Sequence, residues 1–493
     1  QARADSGIPG DPFKLGVASG EPLPDGVVLW TRLAPDPTAA DGTGGMPPVN
    51  VPVQWQVAED ERFRRVVRAG TAWATPHLAH SVHVDVKGLR PDRVYWYRFR
   101  TGREASAVGR TRTAPSPNAR LASLAFAFAS CQNLPEGHFT VLRHLAEDDL
   151  DFVVHLGDYI YEGSGQGTIG RGHLPAAETF SLIDYRIRHG QYKLDPDLQA
   201  AHAAFPWLVT IDDHDVENNW AGSHSQPDTE PDQDPAVFLQ RRAAAFQAFY
   251  ENQPLRLASR PDGPDMLLYR RLTFGRLAGL HMVDTRQYRD VQLTNQDERF
   301  DPARTLLGAD QEAWLLNGLD RSQSTWNVLG NQVFMMQADH TDGEGVRYGM
   351  DTWDGYAAAR QRLFDGIRDQ GLDNLVIVTG DAHRSAAADL KLNFADQSSP
   401  TVGVEFLGTS ISSGQNGSPI DSLGQTWLRE NPHMKFHNAQ RGYGRCEVTP
   451  TTWRTDYKVV PYVNEPNAPI QTAASIYLEA GVPGIQQVDQ SAV

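Results

Sequence analysis

Five apolar runs in this chain end in side chains that can bind a metal. Leu121 to Ala129 leads into Ser130, Cys131, Gln132 and Asn133, and Phe152 to Leu156 leads into Gly157, Asp158, Tyr159, Ile160 and Tyr161. Leu208 to Ile211 meets Asp212, Asp213, His214 and Asp215. Trp326 to Leu329 meets Gly330, Asn331 and Gln332, and Leu375 to Val378 meets Thr379, Gly380, Asp381, Ala382 and His383. In α/β folds, ligands gather outside the carboxyl ends of strands, so these five ends together describe a metal basin. Three carboxylates at one strand end repel unless a cation neutralises them. Each piece has a plainer reading too. A Gly-Asp pair is a common turn or helix cap, Tyr161 a packed ring, Asn331 an Asx-turn residue and the Asp212 to Asp215 run an exposed acidic turn. Specificity lies in the ordered series.

The elements that position these residues are readable from periodicity. In residues 1–115, Val51, Val53, Trp55 and Val57 alternate with polar neighbours, as do Val82, Val84 and Val86, then Tyr95, Tyr97 and Phe99. Period two with one apolar face means half-buried strands, and turn signals separate them, which predicts an all-β sandwich domain. Ala114 to Asn118 reads as a linker. From Leu121 onward, continuous apolar runs alternate with helical faces such as Phe139, Leu142 and Leu145, then Trp314, Leu315 and Leu319, then Leu363, Phe364 and Ile367 before Gly371. Strands alternating with helices predict a layered α/β core over 116–465. A polar Asp/Pro-rich loop occupies about 222–236, and residues 466–493 read as a C-terminal tail with one weak strand, Ser475 to Leu478.

Composition removes whole classes. With 493 residues the chain is long enough for two or three domains. Lys+Arg 45 against Asp+Glu 61 gives a net charge of −16, which excludes a generic nucleic-acid or anionic-membrane binder. No apolar run approaches the ~18 residues of a membrane span. Cys131 and Cys446 are the only cysteines, so a disulfide scaffold and a Cys-cluster zinc protein are excluded. One disulfide or two free buried thiols remain open.

The ordered set Cys131-Gln132, Gly157-Asp158-x-x-Tyr161, Asp213-His214-Asp215, Gly330-Asn331-Gln332 and Gly380-Asp381-Ala382-His383 resembles the alkaline phosphatase D (PhoD) branch of the metallophosphoesterases. Further signatures agree: Ser19-Gly20-Glu21-Pro22, Val28 to Arg32, Asp284 to Tyr288, Asp351 to Tyr356 and Phe406 to Ser413. The resemblance runs from about residue 14 to 460. It implies a metallophosphoesterase core of two packed sheets flanked by helices. It also implies an iron site of Cys131, Asp158, Tyr161 and His383, and a site for one or two calcium ions built from Asp158, Asp213, Asn331 and Asp381. Thiolate, phenolate and imidazole suit Fe3+, and oxygen donors suit Ca2+. The second site lacks the histidines of the wider superfamily, which argues against zinc and disfavours a purple acid phosphatase-like activity.

On this reading a hydroxide bridging the two metals attacks phosphorus. His214 protonates the leaving group, Asp215 orients His214, and Asn218 and Asn219 line the mouth. The expected activity is hydrolysis of phosphodiesters and, secondarily, phosphomonoesters by a secreted monomer. A PhoD-type phospholipase D acting on phospholipids is one alternative. The paired His-x-Lys-x4-Asp motifs of ordinary phospholipase D are absent, since His433-x-Lys435 meets Gln440 where aspartate is needed. A binding protein on an inactive phosphatase fold is the other. The resemblance further implies twin-arginine export with the leader already removed, although the polar start QARADSGIPGDPF fits a cytosolic protein equally well.

Overall fold

The computed structural model describes residues 8–491. The polar start of the chain through residue 7, and residues 492–493 of the expected tail, lie outside them.

The core is two sheets packed face to face. The larger has ten strands, in the order Gln487–Gln490, Gln471–Glu479, Thr452–Val460, Arg441–Val448, Leu124–Ala129, Phe152–His155, Pro206–Val209, Val17–Leu23, Gly26–Arg32 and Ser81–Lys87. The second has seven: Arg270–Phe274, Ala278–Met282, Trp326–Gly330, Leu375–Thr379, Thr401–Leu407, Ser385–Lys391 and Met434–Asn438. Each sheet is parallel at its centre, where Leu124–Ala129, Phe152–His155 and Pro206–Val209 run together in one and Trp326–Gly330 with Leu375–Thr379 in the other. Parallel strands covered on both faces demand continuous apolar sequence, which is what these runs carry.

Burial confirms the layering. Phe126, Phe128, Phe152, Val154 and Leu208 meet Leu280, Val328, Val376, Val378 and Phe406 between the sheets. The outer face of the ten-stranded sheet is covered by helices bearing Leu142, Leu145, Tyr185, Phe246 and Phe249. Leu315, Leu363, Phe364, Ile367 and Trp427 cover the outer face of the other. The helix Ala357–Asp369 buries Leu363, Phe364 and Ile367, and the chain turns away at Gly371, whose φ of 61° suits glycine.

Two features show how the ends of the chain join the core. The all-β region that ends at residue 115 is two-layered, as expected, and Val17–Leu23 pairs in parallel with Pro206–Val209, so one layer continues into the core sheet. Its other layer is a five-stranded sheet built on Val51–Ala58, Val66–Ala74 and Val94–Thr101, with Val27, Leu29, Val53, Tyr97 and Phe99 buried between the layers. The C-terminal segment docks on the core. Gln471–Glu479 and Gln487–Gln490 are the outermost two strands of the large sheet, with Ala474 and Ile476 buried in the central core.

Candidate metal centre

The carboxyl ends of the parallel strands in both sheets open onto one basin. Gly157 leaves its strand at a φ of 112°, and a side chain there would collide with Asp212. Only glycine lets the two loops touch at this point. Five non-glycine residues of the basin, Cys131, Asp158, Asn219, Asp381 and His383, sit in the left-handed region, with φ of 59°, 54°, 53°, 68° and 55°. Each such conformation costs on the order of 1–3 kcal/mol, and the surrounding hydrogen bonds must hold it.

Those holding bonds are visible. Asp215 accepts the backbone N–H groups of Asp158 at 2.9 Å, Tyr159 at 3.0 Å and Asp212 at 3.0 Å. Arg441 donates through Nη1 to the carbonyl of His383 at 2.8 Å and to that of Ser413 at 2.7 Å. The Ser413 hydroxyl in turn bonds the Cys131 carbonyl at 2.8 Å and the Tyr161 hydroxyl at 2.7 Å.

Three overlapping groups of ligand atoms fill the basin. In each, the atoms lie within 4.8 Å of one another: Cys131, Asp158 and His383; Asp158, Asp213 and His214; and Asp212, Asp213 and Asp381. Tyr161 joins the first, its hydroxyl 3.1 Å from Asp158 Oδ2 and 3.1 Å from His383 Nε2. Asp158 therefore belongs to two groups and Asp213 to two. The thiol of Cys131 is free, as is that of Cys446, and both are buried.

Electrostatics reflect the crowding. Burial, followed by the charges of Asp213 and Asp212, pushes the Asp158 carboxyl well above the usual range. Burial and then Asp212 and Asp213 do the same to Asp381. Burial and Asp158 raise the Cys131 thiol and the Tyr161 phenol. Burial and Arg441 lower His383 to about 3, which leaves its imidazole neutral. Asp213 goes the other way: against its burial, Arg286 and His214 hold it low. Its Oδ1 atom is nevertheless buried without a hydrogen-bond partner. Buried polar atoms almost always have partners, so this orphan fits a cation ligand.

The remaining expected site residues divide. His214 belongs to the basin, its ring stacked on Tyr161 at 4.2 Å between centroids. Asp215 does not orient it. Its hydrogen bonds in the site are all to backbone N–H groups, and the carboxylate on His214 Nδ1 is Glu162, at 2.8 Å. Asn219 stays at the rim, and the amide orientation that satisfies both ends turns its nitrogen to Asp213 and Asp351 at 3.3 Å each. Asn218 points away and donates to Gln226 at 2.6 Å. Asn331 is fully buried at the end of Trp326–Gly330, where its Nδ2 donates to the Val333 carbonyl at 2.6 Å.

Sequence reasoning gave no site role to three participants, Glu162, Ser413 and Arg286, and placed Asp212 only in the acidic run. Glu162 holds His214, Ser413 holds Tyr161, and Asp212 joins the carboxylate group. Arg286 pairs with Asp212 at 2.6 Å and Asp351 at 3.0 Å, with Nη2 3.6 Å from both Asp213 and Asp381. The signal for Arg286 was present in the Asp284 to Tyr288 signature.

Comparison with known proteins then identifies the frame. The profile of the PhoD-like phosphatases matches residues 126–457, and that of the PhoD-like phosphatase N-terminal domain matches residues 1–115. The chain belongs to the PhoD-like phosphatase family. It is 50% identical over 492 residues to alkaline phosphatase D of Bacillus subtilis (strain 168), covering 98% of this chain and 83% of the relative. A solved structure of PhoD superposes with a TM-score of 0.94 at 49% identity, covering 98% of this chain and 93% of the other. This PhoD-like chain is accordingly a hydrolase of phosphoric esters. Among its described residues, no helix is long and apolar enough to cross a membrane.

Proposed function

We propose that the chain is a two-metal phosphodiesterase, with phosphomonoesters as its second substrate class. The observation that carries this reading is Asp158: its carboxylate belongs at once to the Cys131–His383 group and to the Asp213–His214 group. The donor chemistry fits the cations the family resemblance implies. Cys131, Asp158, Tyr161 and His383 would hold ferric iron, a set containing thiolate, phenolate and imidazole. Asp158, Asp213, Asp381 and the Asn331 carbonyl would hold calcium through oxygen alone. Bound there, the cations would neutralise phosphoryl oxygens and lower the pKa of water at neutral pH.

The chain's own residues supply the rest. Glu162 accepts from His214 Nδ1, which leaves Nε2 as the atom that delivers a proton to the departing alkoxide. Against the burial of the ring, Glu162, Asp213 and Asp158 hold His214 well above the ordinary histidine range, so the proton is present when needed. Asn219 presents its side chain at the mouth, where a phosphoryl oxygen enters. Asp215 is a positioning residue that fixes the Asp158 turn.

The test is an assay of the purified protein on a small phosphodiester, a phosphomonoester and phosphatidylcholine, before and after metal removal. The reading expects diester turnover that is lost on chelation and returns with calcium while iron is retained. His214→Ala should keep its metals and lose turnover about 10²- to 10⁴-fold. Undiminished hydrolysis by metal-free protein contradicts the metal dependence, and a preference for phosphatidylcholine moves the substrate to phospholipids.

A further inference from the structure

The Asp/Pro-rich loop over 222–236 takes no part in the chemistry above, yet it closes over a second group of acids. Ligand atoms of Glu178, Glu217 and Glu230 lie within 4.8 Å of one another. Asp232 is part of the same cluster through the Arg241 guanidinium, whose Nη1 is 2.9 Å from Asp232 and 3.4 Å from both Glu217 and Glu230. Arg241 Nη2 pairs with Glu178 at 2.6 Å. One guanidinium thus serves four carboxylates.

Arg241 does not satisfy them. Glu217 has no exposed surface, and its Oε1 takes the Ser225 hydroxyl at 2.8 Å and Arg241. Its Oε2 is buried with no hydrogen-bond partner at all. A buried carboxylate oxygen without a donor is costly, and a hard cation supplies what is missing. Burial, then a hydrogen bond with Glu178 and the charge of that residue, push the Glu230 carboxyl up to about 7, as in an acid pair short of positive charge.

We infer that Glu178, Glu217 and Glu230, with Asp232 beside them, form a separate binding site for a calcium-class divalent cation. All the donors are oxygens, as such an ion requires, and water completes its shell of six to eight. The loop supplies Glu230 and Asp232, the segment after Asp213 supplies Glu217, and Glu178 precedes the helix Leu182–Lys193. A cation there ties three stretches of chain together. It also fixes Gln226, the partner of Asn218.

The inference is tested with calcium alone. Wild-type protein and the E178Q/E230Q variant, neither change touching the catalytic basin, are dialysed against calcium and analysed for bound metal. Limited proteolysis of the 222–236 loop is followed with and without calcium. The wild type should hold one calcium per chain more than the variant, with equal iron in both, and calcium should slow cleavage of its loop at least several-fold while leaving the variant's unchanged. Equal calcium content and equal cleavage rates overturn the site and leave Arg241 as the cluster's sole counter-charge. The single Glu230→Gln variant, at a half-exposed position, repeats the comparison should the double variant fail to fold.

Discussion

Glu162 Oε2 lies 2.8 Å from His214 Nδ1, while the other oxygen of the same carboxylate accepts the Asn218 backbone N–H at 2.7 Å. The carboxylate is anchored on one side and grips the ring on the other, which fixes the ring's direction. Against its own burial, the charge of His214 keeps the Glu162 carboxyl low, so the pair is an imidazolium and a carboxylate at neutral pH. Glu162→Gln should therefore cut kcat about 10- to 100-fold, with metal content and KM little changed. The sign of the pH effect follows: losing an anion beside His214 lowers its pKa, so the alkaline fall in kcat moves to lower pH. A full pH–rate profile of the variant checks both statements. An unshifted alkaline limb would remove Glu162 from this role.

Asp215 makes a different prediction because its bonds are to backbone. Asp215→Ala strips partners from the buried N–H groups of Asp158, Tyr159 and Asp212. Each orphaned donor costs about 1–3 kcal/mol, so denaturant unfolding should show a loss of at least ~3 kcal/mol. Metal should be retained poorly, since the turn bearing Asp158 loses its anchor. His214→Ala, by contrast, should unfold close to the wild type. Similar unfolding curves for the two variants would contradict the division of labour between neighbours in sequence.

Arg286 is the guanidinium that stands among Asp212, Asp213, Asp351 and Asp381. Removing one partner from a buried charge network costs about 3–5 kcal/mol. Arg286→Gln should therefore lower the stability of metal-free protein by that order. Added calcium should recover more stability in the variant than in the wild type, because the variant has more uncompensated carboxylate charge. Thermal unfolding with and without calcium measures the difference.

Proton release provides a fourth check. Burial and Asp158 keep the Cys131 thiol and Tyr161 phenol protonated before a cation arrives. Iron binding displaces those protons, so its apparent affinity should rise with pH by about tenfold per unit for each proton lost. A pH-stat titration of stripped protein with ferric iron should record acid release, and Tyr161→Phe should release less. Tyr161 bound to ferric iron should also give visible colour, which Tyr161→Phe removes.

Much of this arrangement was legible in the sequence because buried parallel strands leave a strong mark. The runs before Cys131, Asp158, Asp213, Asn331 and Asp381 are dominated by apolar residues, and all five begin within three residues of their structural strands. What could not be read is contact across long separations. Glu162 meets His214 over 52 residues and Arg286 meets Asp212 over 74, and neither pairing leaves a local periodicity. Asp215 looked like an orienting acid because it follows His214, but adjacent residues on a tight turn point apart. The β region fused to the core for the same reason: the alternation in Val82, Val84 and Val86 marks a half-buried strand without naming the sheet it joins. The strand Gln471–Glu479 was visible only as Ser475 to Leu478, since the polar residues flanking that core segment mask its length.

The account rests on Asp158 standing between two unlike cations. Its most direct test is a crystal structure of the purified protein, with anomalous scattering recorded on either side of the iron edge. It predicts iron against Cys131, Tyr161 and His383, a lighter ion against Asp213 and Asp381, and one Asp158 oxygen or both in contact with each. Density for a single ion, or an Asp158 carboxylate bound to neither, would contradict it.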